Sequence, residues 1–249
     1  MTIARRATRL SFTKLSLFEF CPTAYRYRYV ERVPVPFVPR IVVGAIVHAV
    51  LHRLFERLQA RERVDKSVLD GLHADYWAEA PRLDRDRFPE MWRDGQALLD
   101  GYWSANHANL GQPVLLESRF RFRPDADAGY SIEGVIDRVD ETPSGTAIID
   151  YKSGRRPERL PDRLRAQLHT YALGVEQVHE RRVERLDAYF LADNAGISIT
   201  PDPDYSDALL DRYANTADRV EAASFTATPG PHCDWCDFRD RCPFRATDA

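Results

Sequence analysis

The chain has 249 residues, 44% hydrophobic and 29% charged, so it can bury a full core and is not a disordered polymer. A formal net charge of −3 does not advertise a nucleic-acid binder, and no apolar run approaches the roughly 18–20 residues of a membrane span. Lys14 and Glu19 interrupt the apolar residues of the basic N-terminus, which makes it a poor signal peptide, so a cytoplasmic location with no membrane partner is the default expectation. Ser11 opens an aromatic-rich helical stretch over 11–32. Pro34, Pro36 and Pro39 then mark an extended linker. A helix follows from Val42 to about Gln59, with Val47, Leu51, Leu54, Phe55 and Leu58 apolar and His48 in its first third. Residues 65–110 hold two helical patterns, around 69–77 and 91–103, separated by a charged loop over 81–89. Strands are expected near 114–122, 130–140 and 146–151, then a helix from 162 to 180. A strand near 186–191 leads through an Asn194-Ala-Gly196 turn into 197–200, and a last helix covers 206–223. This order predicts an α/β fold, a central mixed sheet flanked by helices, with a helical insert and a C-terminal cysteine cluster.

The chemistry concentrates in two adjacent segments, Gly134-Val-Ile-Asp137 and Ile148-Ile-Asp150-Tyr-Lys152. Residues 147–151 are short, apolar and β-branched and follow a Pro143-Ser-Gly145 turn, so they read as a buried strand. Side chains alternate along a strand, which puts Asp150 and Lys152 on one face. The preceding segment is its hairpin partner and can bring Asp137 alongside. Buried carboxylates beside a lysine are costly unless something pairs them; a divalent metal plus a phosphate would. Of 35 basic residues only Lys14, Lys66 and Lys152 are lysine, so position 152 favours a compact ammonium over a guanidinium. The plainer reading is an Asp–Lys ion pair at a strand end.

Gln167 and Tyr171 stand at i and i+4 and share a helix face. A lone histidine such as His48 on a mostly apolar helix is more often a satisfied core residue than a ligand. Glu117 either extends the acidic site or, on the plainer reading, is a surface carboxylate; Glu133 has the parity of Asp137, four residues away, and is a candidate acid beside the site. His52 reads as structural or surface. Tyr25-Arg-Tyr-Arg-Tyr29 and Arg119-Phe-Arg-Phe-Arg123 interleave arginines with aromatics, as segments that meet phosphates and stack on bases do; for 119–123 an amphipathic strand with solvated arginines is the plainer account.

Cys233-x2-Cys236-x5-Cys242 is compact, and Cys21 lies far upstream. Cytosolic thiols in this pattern read as metal ligands before disulfides. Zinc and a [4Fe–4S] cluster both accept four thiolates, and spacing alone leans to zinc.

Taken in order, these blocks resemble the PD-(D/E)XK nuclease superfamily, in its RecB-like branch, which includes the nuclease domains of RecB and AddB and the iron–sulfur nucleases of CRISPR adaptation. The segment from Ser11 through Cys21-Pro-Thr-Ala-Tyr25 is similar to the N-terminal cysteine segment, Gly44-Ala-Ile-Val-His48 to the histidine motif, and Gly134-Val-Ile-Asp137 with Asp150-Tyr-Lys152 to the metal motifs. Gln167-Leu-His-Thr-Tyr171 resembles the final helix and the C-terminal cysteines the remaining cluster ligands. The proline of the family name is Ile136 here, and the stretch from about 61 to 111 matches nothing in the family. The resemblance implies a restriction-endonuclease-like core in a single nuclease domain over 1–249: a cysteine arm and His48 helix over 1–60, a helical insert over 61–111, a catalytic core over 112–200, and a C-terminal helix and cysteine cluster over 201–249. It implies Mg²⁺ or Mn²⁺ held by His48, Asp137, Asp150 and the Tyr151 carbonyl. Asp137, Asp150, Lys152, Gln167 and Tyr171 would be catalytic. A [4Fe–4S] cluster would sit on Cys21, Cys233, Cys236 and Cys242. The implied activity is a DNA exonuclease acting on single strands or ends in repair or recombination. The alternatives are a CRISPR spacer-processing nuclease and a DNA-end binding module. No G-x-x-x-x-G-K-[ST] loop is present, so a helicase partner would be a separate chain.

Overall fold

The local chemistry of serine, proline and glycine sets most element boundaries. In the computed structural model, which describes residues 7–35, 38–79 and 88–245, strand β1 (Thr8–Leu10) ends at Ser11. The Ser11 hydroxyl accepts the Lys14 amide and caps helix α1 (Phe12–Phe20). The expected continuous helix over 11–32 is broken at Cys21, whose backbone is extended. Pro22 cannot continue α1 but starts α2 (Pro22–Tyr25) at its first position. A π turn over Arg26–Val30 follows.

Pro39 behaves in the same way. It was expected to extend a linker, but it opens α3 (Pro39–Gln59), which starts three residues earlier than the apolar periodicity suggests. Helices α4 (Lys66–Glu79) and α5 (Pro89–Asn106) occupy the predicted helical insert; most of the charged loop expected between them lies outside the described residues. Strands β2 (Pro113–Phe122), β3 (Tyr130–Thr142) and β4 (Gly145–Lys152) follow, then α6 (Asp162–His179), β5 (Val183–Phe190), β6 (Ala195–Ile199) and α7 (Pro203–Glu221). The tail carries two short 3₁₀ turns, Pro231–Trp235 and Arg239–Arg241. No helix among the described residues is long and apolar enough to cross a membrane.

The described chain divides into two compact units. One gathers residues 7–35, 120–134 and 203–245. In it β1 runs parallel to the start of β3, with Arg9 level with Ser131. Ala24, Tyr27 and Phe238 form a small apolar cluster there. The other unit gathers 38–79, 88–119 and 135–202. Its sheet is mixed: the rest of β3 pairs antiparallel with β4, β4 parallel with β5, and β5 antiparallel with β6. The β4–α6–β5 connection is the crossover that a parallel pair requires. Val43, Val47, Leu51, Leu54 and Phe55 form the buried side of α3 and pack with Leu69, Leu99 and Tyr102 of the insert and Tyr151 of β4. The insert thus builds core and is not a surface appendage.

Candidate active site

The hairpin register fixes the centre of the site. Strands β3 and β4 pair from Thr142↔Gly145 to Arg138↔Ile149, and one further step sets Asp137 opposite Asp150. The ladder stops there. The Tyr151 amide instead donates to Asp137 Oδ2 at 2.9 Å, so the carboxylate satisfies a backbone donor and is held against β4 by it. Alternation then sorts β4: Asp150 and Lys152 share one face, and Tyr151 points to the other.

Helix α3 supplies His48. Gly44, one turn earlier, abuts Ser153 just past β4; a Cβ at this position would lie 3.2 Å from Ser153 Oγ. Helix and strand end therefore come close, and His48 Nδ1 reaches to 3.3 Å from Asp137 Oδ2. Glu117 of β2 completes the group: ligand atoms of His48, Glu117 and Asp137 all lie within 4.8 Å of one another. One nitrogen and two carboxylate oxygens at this spacing are a fit donor set for a hard divalent cation. Glu117 corrects the expectation of a surface carboxylate. Its backbone is left-handed, φ +42°, a conformation that a glutamate adopts only under constraint.

A second chain of contacts runs through Lys152. Its Nζ lies 2.6 Å from Asp150 Oδ2 and donates to Gln167 Oε1 at 2.8 Å. Gln167 Nε2 in turn donates to the Tyr171 hydroxyl at 2.7 Å. Gln167 thus meets the lysine directly, and Tyr171, one turn on along α6, reaches it through Gln167. Asp150 is almost fully buried and pairs with Lys152, while the three-ligand group forms around Asp137.

On the opposite face of β4, the Tyr151 hydroxyl lies 3.2 Å from that of Tyr102 and accepts from Arg138 Nη1 at 3.1 Å. The Arg138 guanidinium is buried, paired with Asp140, and stacked 4.0 Å above the Phe55 ring. Gly111, at φ +78°, leaves room for that ion pair, since a Cβ there would strike both partners. The strand that carries Asp150 and Lys152 is thus anchored from behind.

Burial and mutual charge perturb all three titrating groups here. Burial pushes the Asp150 carboxyl up to about 6, against the opposing pull of the Lys152 charge, with the Asp137 charge adding to the rise. Burial and the Asp137 charge also raise Glu117. Burial alone would lower the His48 imidazole, but the hydrogen bond and charge of Asp137, with the Asp150 charge, outweigh it and raise it above the ordinary histidine value. Crowded acids hold protons that a divalent ion would displace.

Glu133 pairs with Arg121 and Lys14 in the other unit. His52 contacts Glu56 at 3.4 Å on α3. Phe120 is buried, so the 119–123 segment behaves as an amphipathic strand.

The four cysteines belong to the first unit. All are free thiols, and they line one cavity of about 20 Å³ with Phe20, Ala24, Tyr27 and His232. Burial pushes the Cys236 thiol up against the pull of a hydrogen bond from the Phe238 backbone, with the charges of Cys21 and Cys242 adding to the rise. For Cys21, burial is outweighed by hydrogen bonds from Thr228 and the amides after the cysteine, and its thiol is lowered. Four thiols from two distant segments facing one apolar cavity are a chemically fit donor set for a four-thiolate metal centre.

The sequence matches the PD-(D/E)XK nuclease superfamily over residues 9–243; the chain belongs to this superfamily, whose members are metal-dependent nucleases hydrolysing phosphodiester bonds. No curated protein matches the sequence. A solved structure titled "Crystal structure of SSO0001" is 14% identical, with 96% of this chain and 88% of that chain covered at a TM-score of 0.48.

Proposed function

We propose that the chain is a Mg²⁺- or Mn²⁺-dependent deoxyribonuclease of the RecB-like branch, an exonuclease acting on single strands or ends in DNA repair or recombination beside a helicase or recombination partner. The observation that carries this reading is the His48–Glu117–Asp137 donor group within 4.8 Å, next to an ammonium held by Asp150 and Gln167. A divalent ion bound there would polarise the scissile phosphate and acidify an attacking water. Asp137, anchored by the Tyr151 amide, orients its free lone pairs toward the ion. Asp150 and the Tyr151 carbonyl are the further ligands that the family pattern supports. Lys152, fixed from two sides, presents a point charge to the attacking water and to the developing phosphorane charge. Gln167 keeps the lysine in place, and Tyr171 backs Gln167.

The same reading assigns a [4Fe–4S] cluster to Cys21, Cys233, Cys236 and Cys242, supported by their split pattern and shared cavity; zinc is the alternative occupant. The cavity has the volume of about one water, so a cluster requires its walls to spread.

The deciding test uses end-labelled linear and circular DNA with purified protein. Cleavage of the linear substrate alone, lost in chelator and restored by Mg²⁺ or Mn²⁺, is expected. Cleavage that persists after divalent ions are stripped would overturn the reading, and cutting of circles would replace exonuclease by endonuclease.

A further inference from the structure

The first unit carries a second basic feature that the catalytic chemistry does not use. Arg9 of β1, Arg121 and Phe122 of β2, Arg123 just past that strand, and Ser131 of β3 line a pocket of about 330 Å³. Glu133 is engaged by Arg121 at 2.9 Å and by Lys14 at 3.7 Å. Among the described residues, neither Arg9 nor Arg123 has a carboxylate partner. Three arginines and no carboxylate therefore line the pocket, on a chain whose net charge is −3. Ser131 forms the pocket floor, 6% exposed, level with Arg9 across the β1–β3 pair. Exposed arginines that project from neighbouring strands around a hydroxyl match the fork geometry and acceptor oxygens of a phosphodiester.

We propose that this pocket is a phosphate-binding subsite for the backbone of a nucleic-acid strand, with Arg9 and Arg123 as its principal contacts. A polymer suits it better than a small anion, because the arginines stand on an open sheet face along which a chain can run. Phe122, half-buried in the wall, offers an apolar surface to a sugar or base. The proposal rests on the nuclease reading above and adds to it a contact that positions the strand outside the catalytic residues.

The test compares wild-type protein with Arg9→Gln/Arg123→Gln and with a charge-matched control, Arg57→Gln/Arg63→Gln. A labelled single-stranded oligonucleotide is titrated by fluorescence anisotropy in chelator at several salt concentrations, with circular dichroism to verify folding. The subsite pair should weaken binding roughly tenfold and flatten the salt slope by about 1.4, since each lost phosphate contact on a single strand removes about 0.7. The control should match wild type. An equal loss in both doubles, or none in the subsite pair, overturns the subsite while wild-type cleavage keeps the nuclease reading intact. Wild-type protein that neither binds nor cleaves DNA overturns both.

Discussion

Glu117 sits on a strand with its backbone at φ +42°, and its carboxyl is raised by burial and by the Asp137 charge. Both strain and crowding oppose the metal-free fold at this residue, and only cation binding repays the charge. Glu117→Gln should therefore move two measurements in opposite directions. The thermal midpoint of metal-free protein should rise, because a neutral amide replaces a crowded carboxylate. Mn²⁺ affinity measured by calorimetry should fall, roughly 10–100-fold on the scale of metal-site substitutions. A lower midpoint with unchanged affinity would make Glu117 purely structural. Lys152→Ala and Lys152→Arg should each abolish cleavage, the latter because a planar guanidinium cannot take the ammonium's place between Asp150 and Gln167; a single-turnover assay decides.

The pH dependence has a definite sign. An acid whose folded pKa is raised binds more protons when folded, so its contribution to stability is lost as pH rises. For Asp150 the window runs from the ordinary 3.8 to about 6. His48, raised above 6.5, extends the loss beyond that value. Metal-free protein should thus lose stability across the window relative to Asp150→Asn, whereas Mn²⁺ affinity should climb with pH and release protons. A wild-type-minus-variant difference that stays flat from pH 4 to 6.5 would refute the Asp150 assignment. At this scale the sequence was informative where alternation holds. Strand parity alone puts Asp150 and Lys152 together. It says little at Glu117, whose left-handed backbone, φ +42°, no strand pattern in the sequence signals.

At the scale of elements, close approaches decide what can be replaced. A Cβ at Gly134 would lie 2.6 Å from the Phe120 ring, which is itself buried. Gly134→Ala should cost about 1–3 kcal/mol, as overpacking does, read from urea unfolding. Phe120→Leu in that background should return part of the loss; if it does not, the clash is not the cause. The glycine of the Gly134–Asp137 motif thus serves the first unit's packing. Element types were readable from period and composition, β4 above all, because a β-branched run between turn residues has few other fates. Boundaries were less readable wherever proline was involved. Composition suggests a continuous helix through Pro22 and a linker through Pro39, yet each occupies a first helical turn, where its missing amide costs nothing.

At the scale of the whole molecule, the cysteines link sequence ends. Cys21 and the Cys233–Cys242 tail face one cavity, although about 200 residues separate them. A metal centre joining them would close a loop worth about 5 kcal/mol in the chain-entropy treatment of covalent cross-links. Anaerobically purified protein should be brown, and changing any one cysteine to serine should lower iron content and thermal midpoint together. Colourless protein with stoichiometric zinc would assign the centre to zinc, and unchanged stability without metal would mean the thiols are not structural. The one-plus-three cysteine spacing was legible from the start. The division into two units was not, since each is assembled from separated stretches and no linker composition marks the borders.

That interleaving has a consequence for how the protein is made. Helix α1 leaves the ribosome early, but α7, which it packs against in the first unit, is not translated until residues 203–221. At about 5–20 residues per second the delay is on the order of 10–40 s. Throughout it Phe12, Leu15 and Phe18, all buried in the finished fold, stand in water beside a nascent chain. The second unit needs nothing beyond residue 202 and can close first. The molecule should therefore depend on chaperone shielding of its earliest helix, and ribosome-bound chains stalled before α7 should be cut by protease within α1 while the insert helices resist.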